Sequence, residues 1–197
     1  VSDPADDDGC VPQEQGRADQ EARRADARSG SWEIREPRPG DPESFARLHA
    51  RVWRETYRGI MSDEVVDALD PEQFRPLWEQ VATAYAEDRV ADDGRGFLVA
   101  LVAGEPAGFC MHGPSRDDNP PVPHQVWSLN VVPEHQGTGL AQELLRRALG
   151  EQAAYLWVAQ GNHRAVRFYE QQGFALDGAQ NLDGHEGVVE LRMVRPS

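Results

Sequence analysis

Lysine is missing altogether: every one of the 20 positive charges in the 197-residue chain is an arginine. A P-loop needs a lysine after its glycines, so that nucleotide site is excluded. The chain also offers no lysine side chain to acetylate, and the bias itself reads as the mark of a GC-rich genome. Cysteine is scarce. Cys10 and Cys110 lie far apart, with no Cys-x-x-Cys pair and no zinc-ligand spacing, so no metal is expected. Two free thiols suit a reducing cytoplasm. No run approaches the roughly 18 apolar residues that cross a bilayer. The opening Val1-Ser2-Asp3-Pro4 is acidic and lacks an apolar h-region, so it does not read as a signal peptide. Positive charge is outnumbered, at a net −14. That balance argues against nucleic acid, where phosphate neutralisation supplies most of the affinity, and against an anionic membrane surface. A cationic small molecule or basic peptide would be drawn to it.

Residues 1–30 hold Asp3, Asp6, Asp7 and Asp8 and then a stretch with helical propensity but only alanines to bury, a tail that reads as disordered or loosely helical. The domain proper is expected over 31–197. Trp32–Arg35 alternates like a strand. Pro42 and Glu43 open a helix with Phe45, Leu48, His49, Val52 and Trp53 on one face, and Ser62 caps the first of two further helical stretches reaching about Val90. Phe97–Ala103 and Ala107–His112 read as a hairpin turned at Gly104-Glu105. Residues 113–124, with Pro114, Pro120, Pro121 and Pro123, read as a rigid loop. Then come a strand at Gln125–Val132, a helix at Leu140–Leu149, a strand at Tyr155–Ala159, a helix at Arg164–Gln172, a loop over Leu176–Gly187 and a last strand at Val188–Val194. This is one α/β domain without internal repeats.

The most informative segment joins strand to helix: Leu129-Asn130-Val131-Val132-Pro133-Glu134-His135-Gln136-Gly137-Thr138-Gly139-Leu140-Ala141. A helix start leaves amides unpaired and carries partial positive charge, so the turn suits a phosphate. Gly137 and Gly139 let the backbone come close to the anion. A dinucleotide-binding turn would need a third glycine where Gln142 stands, so that reading is poor.

Gln136-x-x-Gly139-x-Ala141 after a Val-x-Pro strand end resembles the Arg/Gln-x-x-Gly-x-Gly/Ala motif of GNAT (GCN5-related) N-acetyltransferases. Asn162-His163-Arg164-Ala165-Val166-Arg167-Phe168-Tyr169-Glu170-Gln171-Gln172-Gly173-Phe174 is similar to that family's second motif, Asn-x-x-Ala-x-x-Phe-Tyr-x-x-x-Gly-Phe. Trp53–Ile60 resembles the Trp-x-x-x-Tyr-x-Gly-Ile segment of many bacterial members, and 113–117 a loop of one subgroup. Together the likeness covers about residues 31–195.

The resemblance implies an α/β (α+β) fold with a mixed, mostly antiparallel twisted sheet of about six or seven strands and helices on both faces. It implies acetyl-CoA as co-substrate, its pyrophosphate on the amides of the turn and its pantetheine arm beside the second motif. The cofactor contacts it assigns are Val131, Val132, Gln136, Gly137, Thr138, Gly139, Leu140, Ala141, Asn162 and Phe168. It makes Tyr169 the catalytic acid, and a phenol of ordinary pKa about 10 is protonated at neutral pH and can donate to a thiolate. Backbone amides near Val131 would stabilise the thioester oxygen. Trp53, Tyr57 and Trp127 are candidates to line the site of a small-molecule or peptide amine. Many relatives carry a glutamate where this chain has Gln125, so the base is open among His124, His112, Glu55 and a water chain. A silent acyl-CoA-binding module is the alternative, and a homodimer is compatible with the likeness.

Overall fold

Alternating residues make Trp32–Arg35 the first strand, β1, of the computed structural model, which describes residues 32–90, 94–182, 184 and 187–197. The acidic tail and Cys10 lie outside the described residues. Helix α1 (Pro42–Tyr57) starts with proline at its first turn, where the missing amide costs nothing. It buries Phe45, Leu48, His49 and Val52, on the face the spacing requires. Ser62 caps the short α2 (Asp63–Asp67) by accepting from the Val65 amide. Helix α3 (Pro71–Ala86) begins with a reciprocal capping box between Asp70 and Gln73.

Strands β2 (Gly96–Val102) and β3 (Glu105–Pro114) form a hairpin. Its two turn residues, Ala103 and Gly104, both have positive φ, the twist that tight hairpins favour. Strand β4 (His124–Val131), a 3-10 turn (Pro133–His135), helix α4 (Leu140–Leu149), strand β5 (Ala154–Ala159), helix α5 (His163–Gln171) and strands β6 (Ala175–Asn181) and β7 (Glu190–Arg195) complete the order. Among the described residues seven strands run β1-β2-β3-β4-β5-β7-β6, antiparallel except between β4 and β5.

Period-two alternation assigns the faces. Phe109 of β3 meets His49 of α1 and Trp78 of α3, with ring centroids 4.7 and 5.2 Å apart. On the opposite face, Trp32 pairs with Val102 and lies against Gly139 at the start of α4. Helices therefore cover both faces, and α4 buries Leu140, Leu144, Leu145 and Leu149.

Two segments expected as loops are partly strand. Gly113 and Pro114 extend β3 and His124 opens β4, because a proline at a strand end gives up no ladder bond. The segment expected as a loop over 176–187 begins as strand β6. It is an edge strand, Leu176 is 49% exposed, and its pairing with β7 skips between Leu176 and Gln180. An edge strand with one buried neighbour needs no apolar alternation, so its sequence does not announce it.

Candidate active site

The site forms where the sheet opens. Strands β4 and β5 pair only at Gln125–Tyr155 and Val126–Leu156 and then diverge. The edge of β4 beyond that point has no strand to bond. Val132 donates its amide back to Ala107 of β3. Strand alternation therefore points the Val131 amide and carbonyl into the gap. The carbonyl is taken by Gln136, whose Nε2 donates to it at 3.0 Å. The amide stays available to an oxyanion.

The glycine turn sits at the end of this edge. Thr138 Oγ1 donates to the His135 carbonyl at 2.7 Å, and Gly139 adopts φ 96° as the residue before α4. Among the described residues nothing accepts from the amides of Gly137, Thr138 or Gly139. Unpaired amides at a helix start form an anion cradle. A cleft beside them is lined by Val131, Gln136, Gly137, Ala141, Phe168 and Tyr169, among others. Val132 and Leu140 point into the core, and Thr138 is engaged with its own turn, so these three offer backbone only. Arg164 was not anticipated. It donates to the Gln136 side chain and lines the same cleft, a cation within reach of the cradle.

Helix α5 carries the second group of residues. Asn162 caps it by accepting from the Ala165 amide at 3.1 Å. At the other end Gly173, at φ 84°, closes a Schellman motif: Phe174 donates to Tyr169 O and Gly173 to Glu170 O. These two ends fix the register, and Tyr169 is turned inward, 8% exposed, with its ring 5.1 Å from Phe168 and 5.7 Å from Phe174. Its hydroxyl has no hydrogen-bond partner among the described residues. Burial first, then the neighbouring Cys110 and Tyr57, raise its pKa above the ordinary tyrosine value. The proton stays on oxygen at neutral pH.

The opposite wall is aromatic. Trp53, Tyr57 and Trp127 line one pocket with Tyr169, Asn130 and Glu190, so the structure brings the three expected rings together. A bulge at Met111/His112 leaves Trp127 as the extra residue in β4 and re-aims it. Its indole donates to the Pro114 carbonyl at 3.2 Å, and Arg116 lies over its face at 4.0 Å. The loop 115–123 is tied down. Ser115 Oγ and Tyr155 Oη are 2.6 Å apart, and Trp157 Nε1 donates to Asp117 at 3.0 Å. Asp117 is thus a structural acceptor rather than the solvated charge its loop position suggests, whereas Asp118 is exposed.

The candidate bases stand elsewhere. His112 and His124 bond each other at 3.0 Å, and His112 lines a different cleft with Glu36, Tyr85 and Arg147. Burial and the nearby His124 hold His112 at about 4. Glu55 is exposed and paired with Arg51. Gln125 is buried, its Oε1 accepting from the Arg116 amide at 2.9 Å, so it shapes the loop. Sequence reasoning missed Glu190, the one carboxylate among the described residues lining the aromatic pocket. No motif marks it. No group of His, Cys, Asp and Glu among the described residues could hold a metal ion, and none of the described helices is long and apolar enough to cross a membrane.

Comparison with known proteins agrees with this geometry. Residues 43–174 match the model of the acetyltransferase (GNAT) family. A "probable N-acetyltransferase" of Mycobacterium tuberculosis is 32% identical over 74% of this chain and 80% of its own length. The mycothiol acetyltransferase of Propionibacterium freudenreichii is 30% identical over 71% of this chain, which spans only 48% of that longer protein. The paiA N-acetyltransferase of Thermoplasma acidophilum, solved in complex with coenzyme A, superposes with a TM-score of 0.65 at 22% identity, covering 85% of this chain and 99% of its own. With its sheet opened between β4 and β5, its glycine turn before α4 and its capped α5, the chain belongs to the GNAT family of acetyltransferases and is an N-acetyltransferase.

Proposed function

We propose that this enzyme moves an acetyl group from acetyl-CoA directly to a primary amine of a small molecule or peptide. The observation that carries the reading is the junction itself. A gap between two strands has an unpaired anion cradle at one end, an unengaged tyrosine hydroxyl beside it and an aromatic pocket at the other. The residues fit the proposed co-substrate. Amides of 137–141, with Arg164 near, suit a pyrophosphate, and the Val131 edge suits a pantetheine amide and the thioester oxygen.

Each group then has one task. The Val131 amide donates to the carbonyl oxygen as negative charge develops on it. Tyr169 gives its proton to the departing sulfur. The ammonium first gives one proton to water, because only the neutral amine has a lone pair to attack with. The second proton leaves the nitrogen of the tetrahedral adduct and restores the one that Tyr169 has given to the sulfur. Burial keeps the Tyr169 phenol protonated at neutral pH, and the same dry site makes the departing thiolate a stronger base, so the proton can pass between them.

A module that only bound acyl-CoA would have no use for a buried proton donor at the gap. The purified chain with acetyl-CoA and a panel of primary amines, followed by release of free thiol, decides the point. Amine-dependent thiol release together with an N-acetylated product by mass is expected. Binding of acetyl-CoA without release for any amine would leave the silent module as the better reading.

A further inference from the structure

Glu190 has no part in the reaction as derived above and no counterpart in the motifs that led to it. It opens β7, opposite Ala159 at the end of β5 and Asn181 at the end of β6, and so stands at the mouth of the gap. Two neighbours hold it. Its Oε2 accepts from Asn181 Nδ2 at 3.0 Å, and Gly184 lies against its stem. A Cβ at residue 184 would run first into the Val188 carbonyl and then sit 2.8 Å from Glu190 Cγ and 3.0 Å from Cδ, so the bare backbone there admits both the Val188 backbone and the Glu190 stem. Among the described residues no arginine or histidine pairs with it, whereas Asp41, Glu134 and Glu143 each have an arginine. Its charge reaches Tyr57, whose phenol is pushed up to about 12 by burial and then by Glu190.

A half-buried carboxylate that pairs with no arginine or histidine among the described residues, beside Trp53, Tyr57 and Trp127, is open to a bound cation. Trp53 and Tyr57 would add cation–π attraction, whereas the face of Trp127 is already covered by Arg116. We infer that Glu190 is the anchor for the acceptor's ammonium group, so that the enzyme takes cationic primary amines whose apolar bodies lie against Trp53 and Trp127. This rests on the transferase reading of the same pocket, which leaves the acceptor's class open. The chain's surplus of negative charge draws such amines towards the protein, and Glu190 selects where they dock.

The test compares the wild-type enzyme with Glu190→Gln, loaded with CoA, against phenethylamine, tryptamine and hexylamine, each beside its isosteric alcohol. The carboxamide oxygen can still accept from Asn181, so melting temperature and CoA affinity should be unchanged. Amine Kd by calorimetry, and KM where turnover occurs, should rise at least tenfold in Glu190→Gln, with kcat within threefold. The alcohols should bind the two proteins alike, and Glu190→Asp should recover part of the amine affinity. Amine affinity in Glu190→Gln within twofold of wild type overturns the proposal, as does a fall in kcat with Kd unchanged, or failure of every amine to bind the wild-type protein. Glu190-dependent amine binding without turnover would instead sustain the anchor and sink the transferase reading. Should Glu190→Gln not fold, the wild-type protein alone decides. Amine affinity must weaken with ionic strength while alcohol affinity does not, and equal salt response overturns the proposal.

Discussion

Tyr169 is the residue whose chemistry can be isolated most cleanly, because removing its hydroxyl leaves the ring's contacts with Phe168 and Phe174 in place. If it protonates the leaving sulfur, Tyr169→Phe should lower kcat and kcat/KM together by about 10²-fold or more, the usual size of a general-acid contribution. CoA affinity and melting temperature should hardly move, since the hydroxyl has no partner to lose. Steady-state kinetics on a productive amine check this, and near wild-type turnover would return Tyr169 to a packing role. The residue was legible because its motif is local: cap, inward face and helix stop lie within thirteen consecutive positions, and each has its own physical signal. Glu190 was not legible for the converse reason. Its neighbours Ala159 and Tyr57 are distant in sequence and meet it only in the folded chain. Residue type without placement likewise could not show that His112 bonds His124 and lines a different cleft, or that Glu55 is paired with Arg51.

At the scale of elements, the turn before α4 joins conformation to chemistry. Gly139 at φ 96° has only the Trp32 ring and the Gln142 side chain near its missing Cβ, both at ordinary contact distance. The backbone angle, more than crowding, is what demands glycine there. A β-branched residue would have to leave that angle or bear roughly 1–3 kcal/mol of strain, and either outcome re-aims the amides of the cradle. Gly139→Val is therefore expected to weaken CoA binding by about 3 kcal/mol, the scale of one or two charge-assisted hydrogen bonds. Calorimetry on a variant shown by circular dichroism to be folded provides the check, and undiminished affinity would move the pyrophosphate elsewhere. Elements with one buried face were readable from period alone: α4 buries the four leucines that its spacing selects. Strand β6 was not, because all seven of its residues are polar, small or exposed and its pairing with β7 is interrupted between Leu176 and Gln180. The divergence of β4 from β5 follows from the family resemblance and from no residue signal of its own, for a missing ladder leaves no trace in composition.

Across the whole molecule, the layer between the sheet and α1/α3 contains a group that makes stability depend on pH. His49 stacks on Phe74 at 4.1 Å, meets Phe109 at 4.7 Å and Trp53 edge-on at 5.4 Å, and is 4% exposed. Neither ring nitrogen has a hydrogen-bond partner among the described residues. Burial alone pushes its pKa down to about 3, so the folded protein holds it neutral throughout the mildly acidic range. The unfolded chain takes up a proton near pH 6.5. Protons are then bound by the unfolded state and not by the native one, so His49's contribution is intact above pH 6.5 and is lost as pH falls towards 3. His112, held at about 4 by burial and His124, acts in the same direction. Carboxylate protonation begins only below about pH 5; there it relieves the self-repulsion of a chain at −14 but also undoes the ion pairs that hold Asp41, Glu134 and Glu143 ionised. The window from 6.5 to 5 therefore isolates the histidines. His49 alone should cost about 2 kcal/mol across it, at about 1.4 kcal/mol per pH unit. Urea unfolding at pH 7.0, 6.5, 6.0, 5.5 and 5.0 should give a stability that declines with acid, and His49→Phe should remove about that much of the slope. A wild-type stability that stays level over this range would mean that His49 is protonated within the fold, and the dry aromatic nest around it would have to be redrawn with a polar partner.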